Sequence, residues 1–151
     1  MKYMRCALIF STIFITGILL GGYLFHATQP RSFLTFNDCN THCFKPKDVL
    51  GLIASVGIQK GILPGVLKET DKTIVINHPF PEAKTHYVII PKKDIKNIGS
   101  VSTEDREYLV DAMTVIGELI RENNLQAYKV IIYGPEYQHV TYLHFHLIAD
   151  N

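Results

Sequence analysis

The run Val140–Ala149, VTYLHFHLIA, alternates so strictly that it leaves few folds open. On a β-strand successive side chains point to opposite faces. Leu143, Phe145 and Leu147 therefore share one face, and Tyr142, His144 and His146 share the other. The first set is uniformly apolar and suited to burial under a helix. The second carries groups that can exchange protons, bind metal or attack phosphorus. A slip of one residue would bury the imidazoles and expose the leucines, so the register of such a strand is fixed by its covered face. Same-face neighbours lie roughly 6.5–7 Å apart, a span that lets two imidazoles grip one phosphate.

The other elements agree with this strand. Val66–Glu69, Lys72–Asn77 and Thr85–Ile90 are short runs rich in β-branched residues, bounded by Thr70-Asp71 and by Pro79-Phe80-Pro81. Ala127–Tyr133 is a fourth strand, ended by Gly134-Pro135. Between them Ser102–Asn123 predicts a long helix. Ser102 and Asp105 form a capping-box variant, and Leu109, Met113, Ile116 and Ile120 make one apolar stripe. Pro46–Gly57 predicts a short helix with Val49, Leu50, Ile53 and Val56 on its packed side. Strands, a long helix and more strands, joined by short links, describe an α+β domain: an antiparallel sheet of about five strands with one long and one short helix packed on it.

The N-terminus has a different character. Ala7–Phe25 is a run without a charge, preceded by Lys2 and Arg5. As a helix it would extend roughly 28 Å at 1.5 Å per residue, close to a bilayer's hydrocarbon core. The sequence predicts a membrane anchor over residues 1–27, a linker over 28–38 and a folded domain over 39–151. A cleaved signal peptide is the alternative, although Tyr23–Ala27 makes a poor cleavage site. The positive residues before the run place the domain on the extracytoplasmic (periplasmic) side. Cys39 and Cys43 in NDCNTHC would there form a short-loop disulfide; free thiols, or half of a zinc site with His42, are the alternatives. The net charge of +1 and the lack of a long basic run exclude nucleic acid as the partner expected from charge.

Histidine spacing narrows the chemistry. Gln138 and His139 lie just before the alternating run, and His86 lies in the third strand. A neutral imidazole can attack phosphorus and form a phosphohistidine, splitting one difficult displacement into two. A second imidazole can donate to the phosphate or the leaving group. The competing readings are an edge strand with solvated histidines and a His-x-His metal pair, which finds no carboxylate nearby. The chain has neither a Walker-type glycine loop nor a GxSxG elbow.

Tyr142-Leu143-His144-Phe145-His146-Leu147-Ile148, with Gln138 upstream, resembles the signature of the histidine-triad (HIT) family, in its nucleotide-binding branch. Thr85-His86-Tyr87-Val88-Ile89-Ile90-Pro91-Lys92-Lys93 resembles that family's strand ending in Ile-Pro-Lys-Lys. The resemblance implies hydrolysis or transfer of a nucleotide-like phosphoramidate or phosphoanhydride, without a cofactor or a catalytic metal, in a homodimer. It implies His144 as nucleophile, His146 on the phosphate and leaving group, Tyr142 in the place of the supporting first histidine, and His86 as an auxiliary group. Gln138, with His139 beside it, would hold phosphate oxygens. Two departures stand out: Tyr142 replaces a histidine, and Ile76–Pro81 lacks the family's ribose-binding acid, with Asn77 or His78 in its place. They leave two alternatives: a phosphate- or nucleotide-binding module without turnover, and a lipid-linked hydrolase resembling CDP-diacylglycerol pyrophosphatase.

Overall fold

A computed structural model describes residues 2–25 and 46–150, and the chain divides into two compact units, Met1–Ser32 and Phe33–Asn151. In the first unit, α1 (Lys2–Phe25) is one continuous helix. Its side chains are described from Cys6 to Gly21, and Leu8, Phe10, Phe14 and Leu19 are all exposed. Among the described residues no helix is long and apolar enough to cross a membrane. The expected span over residues 7–25 is therefore not found there. Cys39, Cys43 and the expected linker lie outside the described residues.

The second unit contains a five-stranded sheet in the order β1-β2-β3-β5-β4. Its strands are β1 (Val66–Glu69), β2 (Thr73–Asn77), β3 (Thr85–Pro91), β4 (Tyr128–Ile131) and β5 (Phe145–Ala149), and every neighbouring pair is antiparallel. The helices α2 (Pro46–Gln59) and α3 (Arg106–Glu122) cover its two faces. Val75, Ile89, Phe145 and Leu147 pack with Ala112, Val115, Ile116 and Leu119 of α3. Ile74, Val88 and Ile90 point the other way and pack with Ile58 and Ala54 of α2. The period-two alternation in β2 and β3 thus builds two cores, one on each side of the sheet.

Three sequence expectations change in detail. The last strand begins at Phe145, not Val140. Upstream of it Leu143 N–H donates to Ile95 O (2.7 Å) and Thr141 N–H to Lys47 O (3.0 Å), so loop contacts replace the ladder. Leu143 nevertheless keeps the face expected of it and is fully buried in the α3 core. On α3, Met113 is exposed, and the buried set is Ala112, Val115, Ile116 and Leu119. The small Ala112 lets the helix approach the sheet and turns Met113 outward. On α2 the packed side is Gly51, Leu52, Ser55, Gly57 and Ile58, while Leu50 and Ile53 face out. Here too small residues mark the contact: a Cβ on Gly57 would lie 3.2 Å from the Leu63 side chain.

The turn before α3 forms as expected. Ser102 N–H and Oγ–H both donate to the Asp105 carboxylate, at 2.7 and 3.0 Å. Lys93 pairs with the same carboxylate at 2.6 Å and, with these hydrogen bonds, holds its pKa below the usual carboxylate value. The leucine one residue before His144 tests how far the α3 core fixes the site. Leu143→Ala should cost about 3 kcal/mol in chemical denaturation, the range for a buried leucine whose cavity does not collapse. A loss under about 1 kcal/mol would show that this segment is not anchored by its buried face.

Candidate active site

Burying Phe145 and Leu147 under α3 leaves His146 on the α2 side of the sheet, where it stands opposite Val88 of β3 and Ile131 of β4. His86 reaches the same place from β3, opposite Ile148. The hairpin between β2 and β3 adds a further residue. His78 follows β2, its N–H donates to His86 O (2.8 Å), and its ring stacks on that of His86 with centroids 4.1 Å apart. His146 lies at the centre: its ring is 4.9 Å from His144, 5.1 Å from His86, 5.1 Å from Tyr133 and 5.5 Å from His78.

Hydrogen-bond partners assign the protons on these rings. Glu82 N–H donates to His86 Nδ1 (3.2 Å), so the proton of neutral His86 sits on Nε2. That Nε2–H donates to His146 Nδ1 (2.9 Å), which places the His146 proton on its own Nε2. This Nε2 is buried and has no partner, an N–H donor held ready. His144 Nδ1 lies 2.6 Å from the carbonyl of Tyr142, and a carbonyl only accepts. The His144 proton is therefore on Nδ1, and Nε2 keeps its lone pair. One ring presents a nucleophile and its neighbour presents a donor.

Burial enforces neutrality. It pushes the pKa of His146 down to about 3, with the nearby His144, His86 and His78 adding to the effect. Burial also lowers His144, partly offset by its bond to the Tyr142 carbonyl. His86 is lowered by burial and by His78, against a weaker opposing pull from Glu82. At neutral pH His86, His144 and His146 are free bases that a bound anion would draw towards protonation.

Two cavities meet at these histidines. One, of about 240 Å³, is walled mainly by aliphatic side chains and closed by Tyr142, His144 and His146. The other, of about 340 Å³, is more polar, with Glu82, Tyr133, Tyr137 and His139 around His144 and His146. His78 lines both. His78, His86 and His146 also bring ring nitrogens within 4.8 Å of one another, close enough to share a metal ion. To ligate, His86 would have to give up its Nε2 proton and break its bond to His146. As folded, the arrangement works as a chain of donors.

The sequence-predicted residues separate into two groups. His144, His146 and His86 come together, and exposed His139 lines the polar cavity. Gln138 is placed behind the site: it is buried and donates its amide to Lys96 O and Tyr142 O, both at 3.4 Å. Tyr142 turns its hydroxyl away from His144 to the carbonyls of Pro91 (3.1 Å) and Lys92 (3.2 Å). Its backbone carbonyl, not its phenol, orients the His144 ring. His78, Glu82 and Tyr133 are additional members. Only His78 left a sequence signal, lying eight residues before His86 across a turn between two pairing strands.

The depressed pKa of His146 has a sign that can be tested. Unfolded, the ring takes a proton below its ordinary value of about 6.5; folded, it resists until about 3. Its contribution is intact above pH 6.5 and is lost as pH falls towards 3, by about 1.4 kcal/mol per pH unit. Between pH 7 and 5 the wild-type protein should lose about 2 kcal/mol more stability than His146→Asn in guanidinium denaturation. Equal losses would show that the folded ring protonates as freely as the unfolded one.

The family model described as the scavenger mRNA decapping enzyme C-terminal binding family matches residues 56–151 of this chain. An uncharacterised HIT-like protein of Chlamydia muridarum is 36% identical over 84 residues, which cover 54% of this chain and 67% of that protein. The crystal structure of a HIT family hydrolase from Legionella pneumophila superposes with a TM-score of 0.57 at 28% identity, over 63% of this chain and 89% of that one. The histidine triad nucleotide-binding protein of Candida albicans superposes with a TM-score of 0.57 at 28% identity, over 66% and 75% of the two chains. With an α+β domain, a five-stranded antiparallel sheet and two histidines alternating at its working face, this chain belongs to the histidine-triad (HIT) family.

Proposed function

We propose that the protein is a phosphohydrolase or transferase that cleaves a nucleotide-like phosphoramidate or phosphoanhydride through a covalent histidine. The observation that carries this reading is the assigned proton pattern: a lone pair on His144 Nε2 beside a proton on His146 Nε2. His144 Nε2 attacks phosphorus, and the bond to the leaving group breaks as the nitrogen–phosphorus bond forms. His146 Nε2–H donates to the phosphoryl oxygens or to the departing atom, and its pKa rises as the anion arrives. Water then attacks the phosphohistidine, releasing the phosphorylated product and restoring neutral His144. The Legionella and Candida proteins, a hydrolase and a nucleotide-binding protein by name, support this class of reaction.

Tyr142 does not weigh against turnover. A carbonyl at 2.6 Å fixes the tautomer of His144 whatever side chain that residue carries. The test is intact-mass spectrometry of the full-length chain mixed with a nucleoside phosphoramidate, alongside steady-state turnover. The wild type should give a nucleotidyl adduct that His144→Ala lacks, with turnover down about 10³-fold or more, as expected for loss of a nucleophile. Turnover unchanged in His144→Ala would remove the mechanism.

The proposed setting is a membrane surface on the extracytoplasmic side, reached through residues 7–25, with a homodimer as the assembled state. The exposed apolar side chains of α1 support attachment. Exposed Tyr128 and Val130 on edge strand β4, with Val110 and Met113 on α3, support pairing. The full-length protein should sediment with membranes and resist carbonate extraction, and in detergent should run as a dimer by sedimentation equilibrium. A salt-extractable monomer would overturn both.

A further inference from the structure

The two cavities that meet at His144 and His146 differ in chemistry, and this assigns different parts of a substrate to each. The larger one is the more polar of the two, with Glu82, Tyr133, Tyr137 and His139 able to hydrogen-bond a leaving group. The smaller is walled by Ala54, Ile58, Leu63, Ile76, Val88 and Ile90. Its polar groups are nearly all committed. The Tyr142 hydroxyl proton is shared between two carbonyls, and His144 and His146 stand where the two cavities meet. His78 Nδ1 lies 2.7 Å from Phe80 O, leaving only its Nε2. A sugar diol is matched by a carboxylate, which can accept from both hydroxyls. One imidazole nitrogen can accept from one. Among the described residues, no side-chain carboxylate, amide or further hydroxyl lines this cavity to read a base edge.

An apolar cavity of this kind suits a group that brings no hydrogen-bonding demand.

We infer that the group this enzyme retains on phosphorus is apolar, an aryl or alkyl substituent, and that a ribose diol gains nothing in the cavity. This rests on the phosphohistidine reading above. A hydrophobic cavity rejects an added hydroxyl only modestly, and a diol with one hydroxyl left unaccepted lowers rather than raises the specificity constant.

The experiment compares three phosphoramidates with one common amine leaving group: the phenethyl, 2′,3′-dideoxyadenosyl and adenosyl phosphoryl compounds. Full-length wild-type protein should turn over the phenethyl and dideoxyadenosyl compounds with kcat/KM equal to or above that of the adenosyl compound, with the phenethyl compound ahead by about tenfold. An adenosyl compound preferred over both others would overturn the inference while leaving the histidine mechanism standing. No turnover and no His144 adduct with all three would overturn the mechanism itself, and the inference with it. Ala54→Phe, which fills the cavity, should lower kcat/KM for the phenethyl compound about tenfold and for the matching methyl compound less than twofold. Equal losses for the two would show that the apolar cavity does not hold the substituent. Should that variant fail to fold, the wild-type comparison still decides.

Discussion

The burial of Leu143, Phe145 and Leu147 beneath α3 is the constraint on which the site depends. Each fully buried side chain of this kind contributes about 1.5–3 kcal/mol, and all three sit in one core with Val115 and Leu119. No alternative register keeps that contribution, so His144 and His146 are committed to the other face. Antiparallel pairing with β3 then sets Val88 against His146 and brings His86 within hydrogen-bonding reach. The geometry of the histidine cluster is in this sense a consequence of where the apolar residues must go.

Once the rings are together, backbone groups decide their protonation. Glu82 N–H and Tyr142 C=O touch two different imidazoles, and between them they fix which nitrogen is a base and which is a donor. Neither depends on a titratable side chain, so the pattern persists across the pH range in which the rings stay neutral. Burial widens that range by keeping His146 neutral down to about pH 3. The cost is an unpartnered buried N–H on His146, an orphan that a phosphoryl oxygen can satisfy.

Periodicity made much of this legible in advance. Strands β1 to β3 and the start of α2 lie where alternation and turn residues put them, and the pairing of Ser102 with Asp105 was readable from spacing alone. The faces of the helices were harder. Large apolar residues suggested Met113, Leu50 and Ile53 as inward, whereas Ala112, Gly51 and Gly57 make the contacts because small residues permit close approach. The final strand was read as longer than it is, because Leu143 keeps its buried face after the ladder has ended. Gln138 carried a family signal for phosphate, yet its amide secures the loop carbonyls of Lys96 and Tyr142. His78 was read only as standing near the place of a ribose-binding acid, and the turn between β2 and β3 instead stacks its ring on His86.

The Tyr142 side chain is large and buried, and it closes the apolar cavity while its hydroxyl ties the loop to the end of β3. Its backbone carbonyl accepts from His144 Nδ1–H, so the tautomer of that ring is set by the main chain and does not depend on the side chain carried at position 142. His144, His86 and His78 each lower the basicity of His146, and the Tyr142 ring, its hydroxyl turned away to the carbonyls of Pro91 and Lys92, adds an apolar surface to the cavity wall. One segment thus serves both cavities: its main chain orders the imidazoles and its side chain closes the apolar side.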